Sequence, residues 1–280
     1  MKKIFIAIAF ILVVAGFVLA TVAVVAAGFD FTKLSTVKYV TENFTSEEEF
    51  SRIRIDSKET DIIFKRADDG KFTIVCEEQE KMRSTFAVEN GTLKIGFVDK
   101  RTWFDHLTMF RKSLSMTIYL PADNYEELTV ECRTGDVSVP SGFRFGSVNI
   151  KTGTGDIYCG ASAEGTVRLA TGTGDVELLN TECCELKVTV RTGDVTLKNV
   201  IAAGNMNIET STGDVRFDNC DAAEITVSTS TGDVAGTLMS GKIFKTHTST
   251  GSVSVPGTGS GGICDIRTST GDINIKIAAG

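Results

Sequence analysis

The segment that decides the fold runs from Thr173 to Val195 and reads TGDVELLNTECCELKVTVRTGDV. It begins and ends on the same tetrad, and related tetrads return every 19 or 20 residues through the second half of the chain. The glycines of the eight copies are Gly135, Gly155, Gly174, Gly193, Gly213, Gly232, Gly251 and Gly271. A fixed period of about 20 residues is typical of a solenoid, in which each repeat, or rung, buries its apolar face only by stacking on the next.

The residues around each glycine alternate with the period of a β-strand, but the alternation changes phase at the glycine. Apolar residues stand seven and five positions before it and two and four positions after it, which around Gly193 are Leu186, Val188, Val195 and Leu197. A straight strand with that phase change would turn its apolar face to water, so each glycine predicts a corner between two strands. The predicted fold is all-β: a single-stack β-solenoid with two strands per rung, in which Val176, Val195 and Val215 lie above one another.

The segment before the tetrads is less regular but carries traces of the same pattern. If Thr60 is placed in the glycine position, Asp61 follows it as in the tetrads. The apolar residues at the repeat offsets are then Ile53, Ile55, Ile62 and Phe64. Asn90-Gly91 between two alternating runs predicts a β-hairpin. We therefore expect a polar stalk over residues 30–50, irregular first rungs and a cap over residues 51–130, and regular repeats over residues 131–277.

The N-terminal segment is apolar enough to enter a membrane. Residues 4–29 carry no charged side chain, and about 20 apolar residues suffice to cross a bilayer. We expect an uncleaved transmembrane anchor over residues 1–29; a cleaved signal peptide ending near Ala27 is the alternative. Lys2 and Lys3 favour a cytoplasmic N-terminus with the solenoid outside the cell.

Composition excludes one large class of partner. The net charge is -7 and no Lys/Arg cluster stands out, whereas nucleic-acid binding needs a basic stripe. The seven cysteines show neither a disulfide framework nor a Cys-x-x-Cys motif. The repeat places Cys132, Cys159 and Cys264 in the core, where a free thiol behaves as a small apolar group.

The tetrads also align a column of carboxylates. Its members are Asp136, Asp156, Asp175, Asp194, Asp214, Asp233 and Asp272, with Ser252 interrupting. Stacked about 4.8 Å apart, these charges would repel one another unless something offsets them. We expect each Asp to accept hydrogen bonds from corner N–H groups or Thr hydroxyls and we predict no cofactor; the alternative is a row of Ca²⁺ ions.

Other polar residues give little support for catalysis. The two histidines are His106, in a segment with Trp103, and His247, on an outward repeat position. Neither lies in a known catalytic motif, so we predict no enzymatic activity. A second threonine column, two residues before the threonines of the tetrads, is in phase with the core and should point inward; a flat Thr-x-Thr face of the ice-binding kind is the alternative.

The tetrads, the Met116–Pro121 strand before the first of them and the N-terminal apolar segment together resemble the bacterial "putative adhesin" β-strand-repeat family, over roughly residues 50–277. The resemblance implies an envelope-associated β-solenoid and offers no catalytic residues. It favours a non-enzymatic, membrane-anchored surface protein that binds an envelope or cell-surface ligand. The alternatives are an accessory or sensor of envelope-stress signalling and, less in keeping with the short corners, a β-helix enzyme acting on polysaccharide. We also expect the uncovered C-terminal rung to support end-to-end self-association.

Overall fold

The computed structural model describes residues 2–26, 28–29, 38–102, 113–257 and 259–278. It contains one helix, α1 (Lys2–Ala26), and twenty-four strands that belong to one sheet. The strands are β1 (Tyr39–Thr45), β2 (Arg52–Glu59), β3 (Asp61–Arg66), β4 (Thr73–Gln79), β5 (Met82–Glu89), β6 (Thr92–Asp99), β7 (Ser115–Leu120), β8 (Asn124–Thr134), β9 (Val137–Val139), β10 (Arg144–Thr154), β11 (Ile157–Cys159), β12 (Ser162–Ala163), β13 (Thr166–Thr173), β14 (Val176–Leu179), β15 (Glu182–Cys183), β16 (Glu185–Thr192), β17 (Val195–Lys198), β18 (Ile201–Thr212), β19 (Val215–Thr231), β20 (Val234–Leu238), β21 (Ile243–Thr250), β22 (Val253–Ser254), β23 (Ile263–Thr270) and β24 (Ile273–Ile277).

The regular repeats stack as parallel rungs, each made of a long strand before the glycine and a short strand after it. Equivalent residues pair directly, as Val176 does with Val195 and Val195 with Val215. These three side chains are at most 1% exposed. The predicted β-solenoid and its continuous apolar core are confirmed.

The corner at each glycine explains the change of phase. Gly193 has a φ of 144°, and the burial pattern switches there from the long strand β16 to the short strand β17. A Cβ atom on Gly193 would lie 2.0 Å from the carbonyl oxygen of Gly174 in the preceding rung. Glycine is therefore required both by the backbone conformation and by the close approach of the neighbouring rung.

At three successive rungs the corner after the short strand carries a second ladder, formed by asparagines. Asn180, Asn199 and Asn219 all adopt left-handed backbone conformations, with φ of 52°, 52° and 57°. The Asn199 side-chain amide donates to the Oδ1 atom of Asn180 at 2.9 Å, and that of Asn219 donates to the Oδ1 atom of Asn199 at 3.1 Å. Asn tolerates this conformation better than other non-glycine residues, which explains its choice at these turns.

The irregular N-terminal segment continues the same stack. β2 and β3 pair in parallel with the first tetrad rung on one side, and with β6 and β7 on the other. The predicted hairpin joins β5 to β6, and both Asn90 and Gly91 have positive φ. β4 runs antiparallel to β7, and β5 antiparallel to β6, so this end of the stack is closed by antiparallel strands.

The predicted stalk over residues 30–50 is wrong for its second half. Tyr39–Thr45 forms β1, which pairs antiparallel with β4 along all seven of its residues. The apolar anchor of this strand is Phe44, whose ring stacks on Phe86 at 4.9 Å and meets Phe72 edge-on at 6.2 Å. The sequence of this strand is mostly polar and resembles a linker. What holds the strand in place is pairing with the edge of β4, which the sequence alone does not show.

The opposite end of the stack departs from chain order. β23 and β24 lie between two other rungs. One is formed by β19 and β20, two repeats earlier in the chain, and the other by β21 and β22, one repeat earlier. We call β23 and β24 the inserted rung, and β21 and β22 the terminal rung. The expectation that the C-terminal repeat forms the uncovered end is therefore wrong; the terminal rung does so, and Ile243 and Val253 on it are 40% and 45% exposed. Self-association through that end stays a prediction.

The helix α1 is long and apolar enough to cross a membrane. Its span from Ile4 to Ala26 has a mean hydropathy of 3.0, and none of it is buried against the rest of the chain. An N-terminal signal sequence has the same properties, so length and composition leave both interpretations open.

Substitution of a corner glycine tests the close packing of the rungs. We expect Gly193→Ala to destabilise the fold by at least ~2–3 kcal/mol, because it adds a steric clash to a backbone conformation that disfavours side chains. The control is Gly257→Ala, where no atom lies within 4 Å of an added Cβ. Urea unfolding of both variants measures the difference, and equal stabilities would contradict this account of the corner.

Candidate functional site

The aspartate column forms a continuous ladder along one corner of the stack. The backbone N–H of each Asp donates to the Oδ1 atom of the Asp in the preceding rung, for example Asp194 to Asp175 at 2.8 Å and Asp175 to Asp156 at 2.7 Å. The members of the ladder, in spatial order, are Asp61, Asp136, Asp156, Asp175, Asp194, Asp214, Asp233, Asp272 and Ser252. The structure thus brings all seven predicted aspartates together and adds Asp61 before them.

The ladder offsets the repulsion between neighbouring carboxylates. Two charges this close in water repel by about 1 kcal/mol, whereas a hydrogen bond to a charged acceptor contributes about 1.5–3 kcal/mol. Arg216 adds a bridge, because its guanidinium donates to the Oδ2 atoms of both Asp194 and Asp214. At the end of the column, the Ser252 N–H lowers the pKa of Asp272. The repulsion expected from the sequence is thus offset by bonds within the chain.

Ser252 and Thr60, which depart from the tetrad in its Asp and Gly positions, lie at the two ends of the ladder. Ser252 belongs to the terminal rung, where its N–H donates to Asp272 at 2.7 Å and no further rung among the described residues needs a carboxylate acceptor. Thr60 stands in the glycine position of the first rung, and its carbonyl oxygen lies against Gly135 of the next. A side chain is tolerated at Thr60 because the close approach concerns the glycine of the following rung.

The inner threonine column points into the core, as its phase predicts. Thr152, Thr171, Thr210, Thr229 and Thr268 are at most 7% exposed. Their hydroxyls do not bond to one another; those of Thr152, Thr171, Thr229, Thr248 and Thr268 donate to the glycine carbonyl of the preceding rung, at 2.9–3.4 Å. Because these threonines are buried, no flat Thr-x-Thr face is presented to solvent.

The cysteines are core residues with one exception. Cys132, Cys159 and Cys264 are buried as predicted, as are Cys76, Cys183 and Cys220, whereas Cys184 is exposed. Burial raises the pKa of the Cys159 thiol to about 11 and that of Cys264 to about 12. The buried thiols are therefore poor nucleophiles, because only the thiolate reacts.

Of the two histidines weighed for catalysis, His247 lies within the described residues. His247 is exposed on the terminal rung, while His106 and Trp103 fall outside the described residues. Over the parts of the chain that the structure describes, no group of three or more His, Cys, Asp or Glu side chains could hold a metal ion. Whether the aspartate column binds Ca²⁺ stays a question for experiment.

The outward side chains of the long strands form a flat polar face. The six that the sequence singled out, Lys151, Arg168, Lys187, Glu209, Lys245 and Arg267, are all exposed. Arg168 pairs directly with Lys187 of the next rung. Lys151, on the rung before Arg168, pairs with Ala170, which lies two residues after Arg168 on the same strand. Three neighbouring rungs therefore carry a small basic patch, Lys151, Arg168 and Lys187, on an otherwise mixed face.

Two buried cations with acidic partners were not predicted from the sequence. Arg101, whose side chain is 1% exposed, bonds to Glu59 and Asp99, and this pairing holds the pKa of Asp99 well below its usual range. Lys242, 5% exposed, pairs with Asp221 at 2.6 Å. Both lie where the chain leaves the regular repeat, so no periodic signal marks them.

Substitution of one carboxylate tests the ladder. We expect Asp175→Ala to cost about 1–2 kcal/mol, because it leaves the Asp194 N–H without its acceptor, and Asp175→Asn to cost less than half of that, because the amide oxygen still accepts. Urea unfolding measures both values, and a larger loss for the Asn variant would contradict the ladder. Melting the natural chain and Asp175→Ala with and without Ca²⁺ completes the test: a rise with Ca²⁺ that the variant loses would assign a cation to the column.

Comparison with known proteins agrees with the geometry. A model of the Toastrack DUF4097 family matches residues 50–216 and 191–279. A Bacteroides fragilis structure described as a putative adhesin is similar at 16% identity and a TM-score of 0.54, covering 87% of this chain and 98% of that one. Two Parabacteroides distasonis structures each have a TM-score of 0.55: a putative adhesin at 11% identity, covering 85% and 98%, and a putative lipid binding protein at 14% identity, covering 85% and 97%. A search of the curated proteins found no match.

These similarities at low identity show a shared fold, and the family match spans the cap and the repeats together. The resemblance that the tetrads suggested is confirmed: the chain belongs to the Toastrack DUF4097 family.

Proposed function

We propose that the chain is a membrane-anchored, extracytoplasmic binding protein whose β-solenoid displays recognition side chains and carries out no catalysis. In this proposal α1 anchors the protein in the cell membrane with its N-terminus in the cytoplasm. The solenoid then stands outside, where its outward faces bind an envelope component or a neighbouring cell surface.

The observation that carries the proposal is the way the repeated polar groups are used. At each Asp of the column the carboxylate accepts a bond from the next rung, as Asp175 does from Asp194. At five corners the glycine carbonyl also accepts a threonine hydroxyl, as Gly155 does from Thr171. The tetrad residues, which recur from repeat to repeat, thus serve to join neighbouring rungs. What varies from rung to rung is the outward columns, and a rigid scaffold with variable exposed side chains is suited to recognition.

The structural neighbours support the same class of function. Two of the three described above carry the words putative adhesin, and the third the words putative lipid binding protein. These names concern binding at surfaces rather than a reaction. They support a binding role for this chain without naming its ligand.

Labelling of Cys184 tests the proposed topology. It is the exposed one of the seven cysteines, all of which lie within the described residues. We expect a membrane-impermeant maleimide to label the protein on intact cells, because the solenoid lies outside, and a Cys184→Ser variant to remain unlabelled. Labelling only after the cells are lysed would place the solenoid inside and refute the proposal. An unshortened mass of the membrane-bound protein distinguishes an anchor from a cleaved signal.

Reversal of the basic patch tests recognition by the outward face. We expect Lys151→Glu, Arg168→Glu and Lys187→Glu together to change stability by less than about 0.5 kcal/mol, because these side chains are exposed. Binding to immobilised anionic cell-wall polysaccharide or to phosphatidylglycerol vesicles should fall several-fold at low salt.

The matched control keeps the charges: Lys151→Arg, Arg168→Lys and Lys187→Arg should bind as the natural chain does. Unchanged binding by the reversed variant would show that this face is not the recognition surface.

A further inference from the structure

The inserted rung fills a slot between two other rungs. Its long strand β23 pairs with β19 on one side and with β21 on the other, and its short strand β24 pairs with β20 and β22. Among the described residues, β21 and β22 of the terminal rung have no other ladder partner beyond the inserted rung. One wall of the slot, formed by β19 and β20, therefore belongs to the continuous stack. The other wall, formed by β21 and β22, depends for its strand pairing on the rung that fills the slot.

The inserted rung contributes a full set of core side chains. Cys264, Ile266 and Ile273 are 0% exposed and Ile275 is 2% exposed. It also continues the aspartate ladder on both of its sides, because the Asp272 N–H donates to Asp233 and the Asp272 carboxylate accepts from Ser252. Withdrawal of this rung would expose apolar surface and break ladder bonds on both walls.

The terminal rung forms the outer wall of the slot, and contacts outside the inserted rung help to hold it close to the stack. The segment that crosses over the slot, residues 239–242, donates from the Met239 N–H to the carbonyl of Cys220 at 2.9 Å. The buried Lys242 ammonium pairs with Asp221 at 2.6 Å and donates to Ser240 at 2.8 Å. These contacts involve no residue of β23 or β24, and they fasten the crossing segment to the body of the stack.

A single short connection joins the inserted rung to the terminal rung. Residues 256–262 read PGTGSGG, with four glycines in seven residues, and span at most about 24 Å when extended. A Cβ on Gly262 would lie 1.6 Å from the carbonyl oxygen of Ala223, so the connection enters the slot through a tight passage. Short hinge connections of this kind are where identical elements are traded between copies.

We infer that the inserted rung, residues 263–277, is exchangeable between two copies of this chain, each copy filling the slot of the other. A second copy is the partner that the slot fits, because its rung offers the same core side chains, the same corner aspartate and the same register. No new contact is needed, and the aspartate ladder remains complete in the exchanged pair. Exchange would link two solenoids at their terminal ends.

Disulfide capture between two differently marked copies tests the exchange. Thr226 on β19 and Asp265 on β23 are register partners across the slot, a placement suited to a disulfide bond. Full-length Thr226→Cys and Asp265→Cys proteins, both also carrying Cys184→Ser, are refolded together in detergent and then oxidised. We expect a disulfide-linked dimer on a non-reducing gel, because the two cysteines meet only when the rung of one copy lies in the slot of the other.

The control uses the equivalent pair within the continuous stack. Arg168 and Lys187 are register partners at the same offset from their glycines, on rungs that no slot separates. Mixed Arg168→Cys and Lys187→Cys proteins should give no linked dimer. Equal yields from the two mixtures would overturn the proposal, because they would show association without exchange.

The double variant Thr226→Cys with Asp265→Cys in one chain shows whether the pair is close enough to bond, and its internal disulfide should abolish dimers by locking the rung. If this bond forms but the mixed single variants give no dimer, the rung does not exchange and the proposal is wrong. Ser228→Cys and Arg267→Cys, which also pair across the slot, provide a second pair that repeats the test.

Discussion

The structure depends on how closely successive rungs approach one another at the glycine corner. A Cβ atom added to the corner glycine would lie far inside van der Waals contact with a carbonyl oxygen of the preceding rung, at 2.1 Å for Gly155 and 1.9 Å for Gly213. That contact allows the corner to turn sharply enough for the apolar face to remain inside as the chain changes direction. Every other regular feature follows from it, because a bulkier corner would separate the long strands and open the core.

The close approach also determines which polar groups the corner can use. With the rungs held at ladder distance, the carboxylate of Asp156 reaches the backbone N–H of Asp175, and the hydroxyl of Thr171 reaches the carbonyl of Gly155. The corner thereby satisfies backbone groups that would otherwise face solvent or be buried without partners. A repeated motif of this kind serves architecture, which is why the binding role proposed here rests on the outward columns instead.

The ends of the stack follow different rules from its middle. At the first rung Thr60 replaces glycine, because the rung before it is irregular. At the terminal rung Ser252 replaces aspartate, because no further rung among the described residues needs its carboxylate. Antiparallel strands close one end, whereas the other end is formed by a rung that the chain places out of order. Stability of the second end is therefore shared between two segments that are separated by a short glycine-rich connection.

The sequence by itself determined the solenoid, its period, the corners, the core columns and the inward threonines, because each of these depends on contacts that recur in register. It also identified every aspartate of the tetrad column. It did not show that β1 is a strand, since Tyr39–Thr45 is held by the edge of β4 rather than by its own pattern. Nor did it reveal the asparagine ladder or the buried Lys242–Asp221 pair, whose members gain partners only once rungs are stacked. The order of the last two rungs was decided by tertiary structure. Both repeats carry the apolar columns of a rung, and Ser252, which has no carboxylate, takes its place at the end of the ladder only once the rungs are stacked.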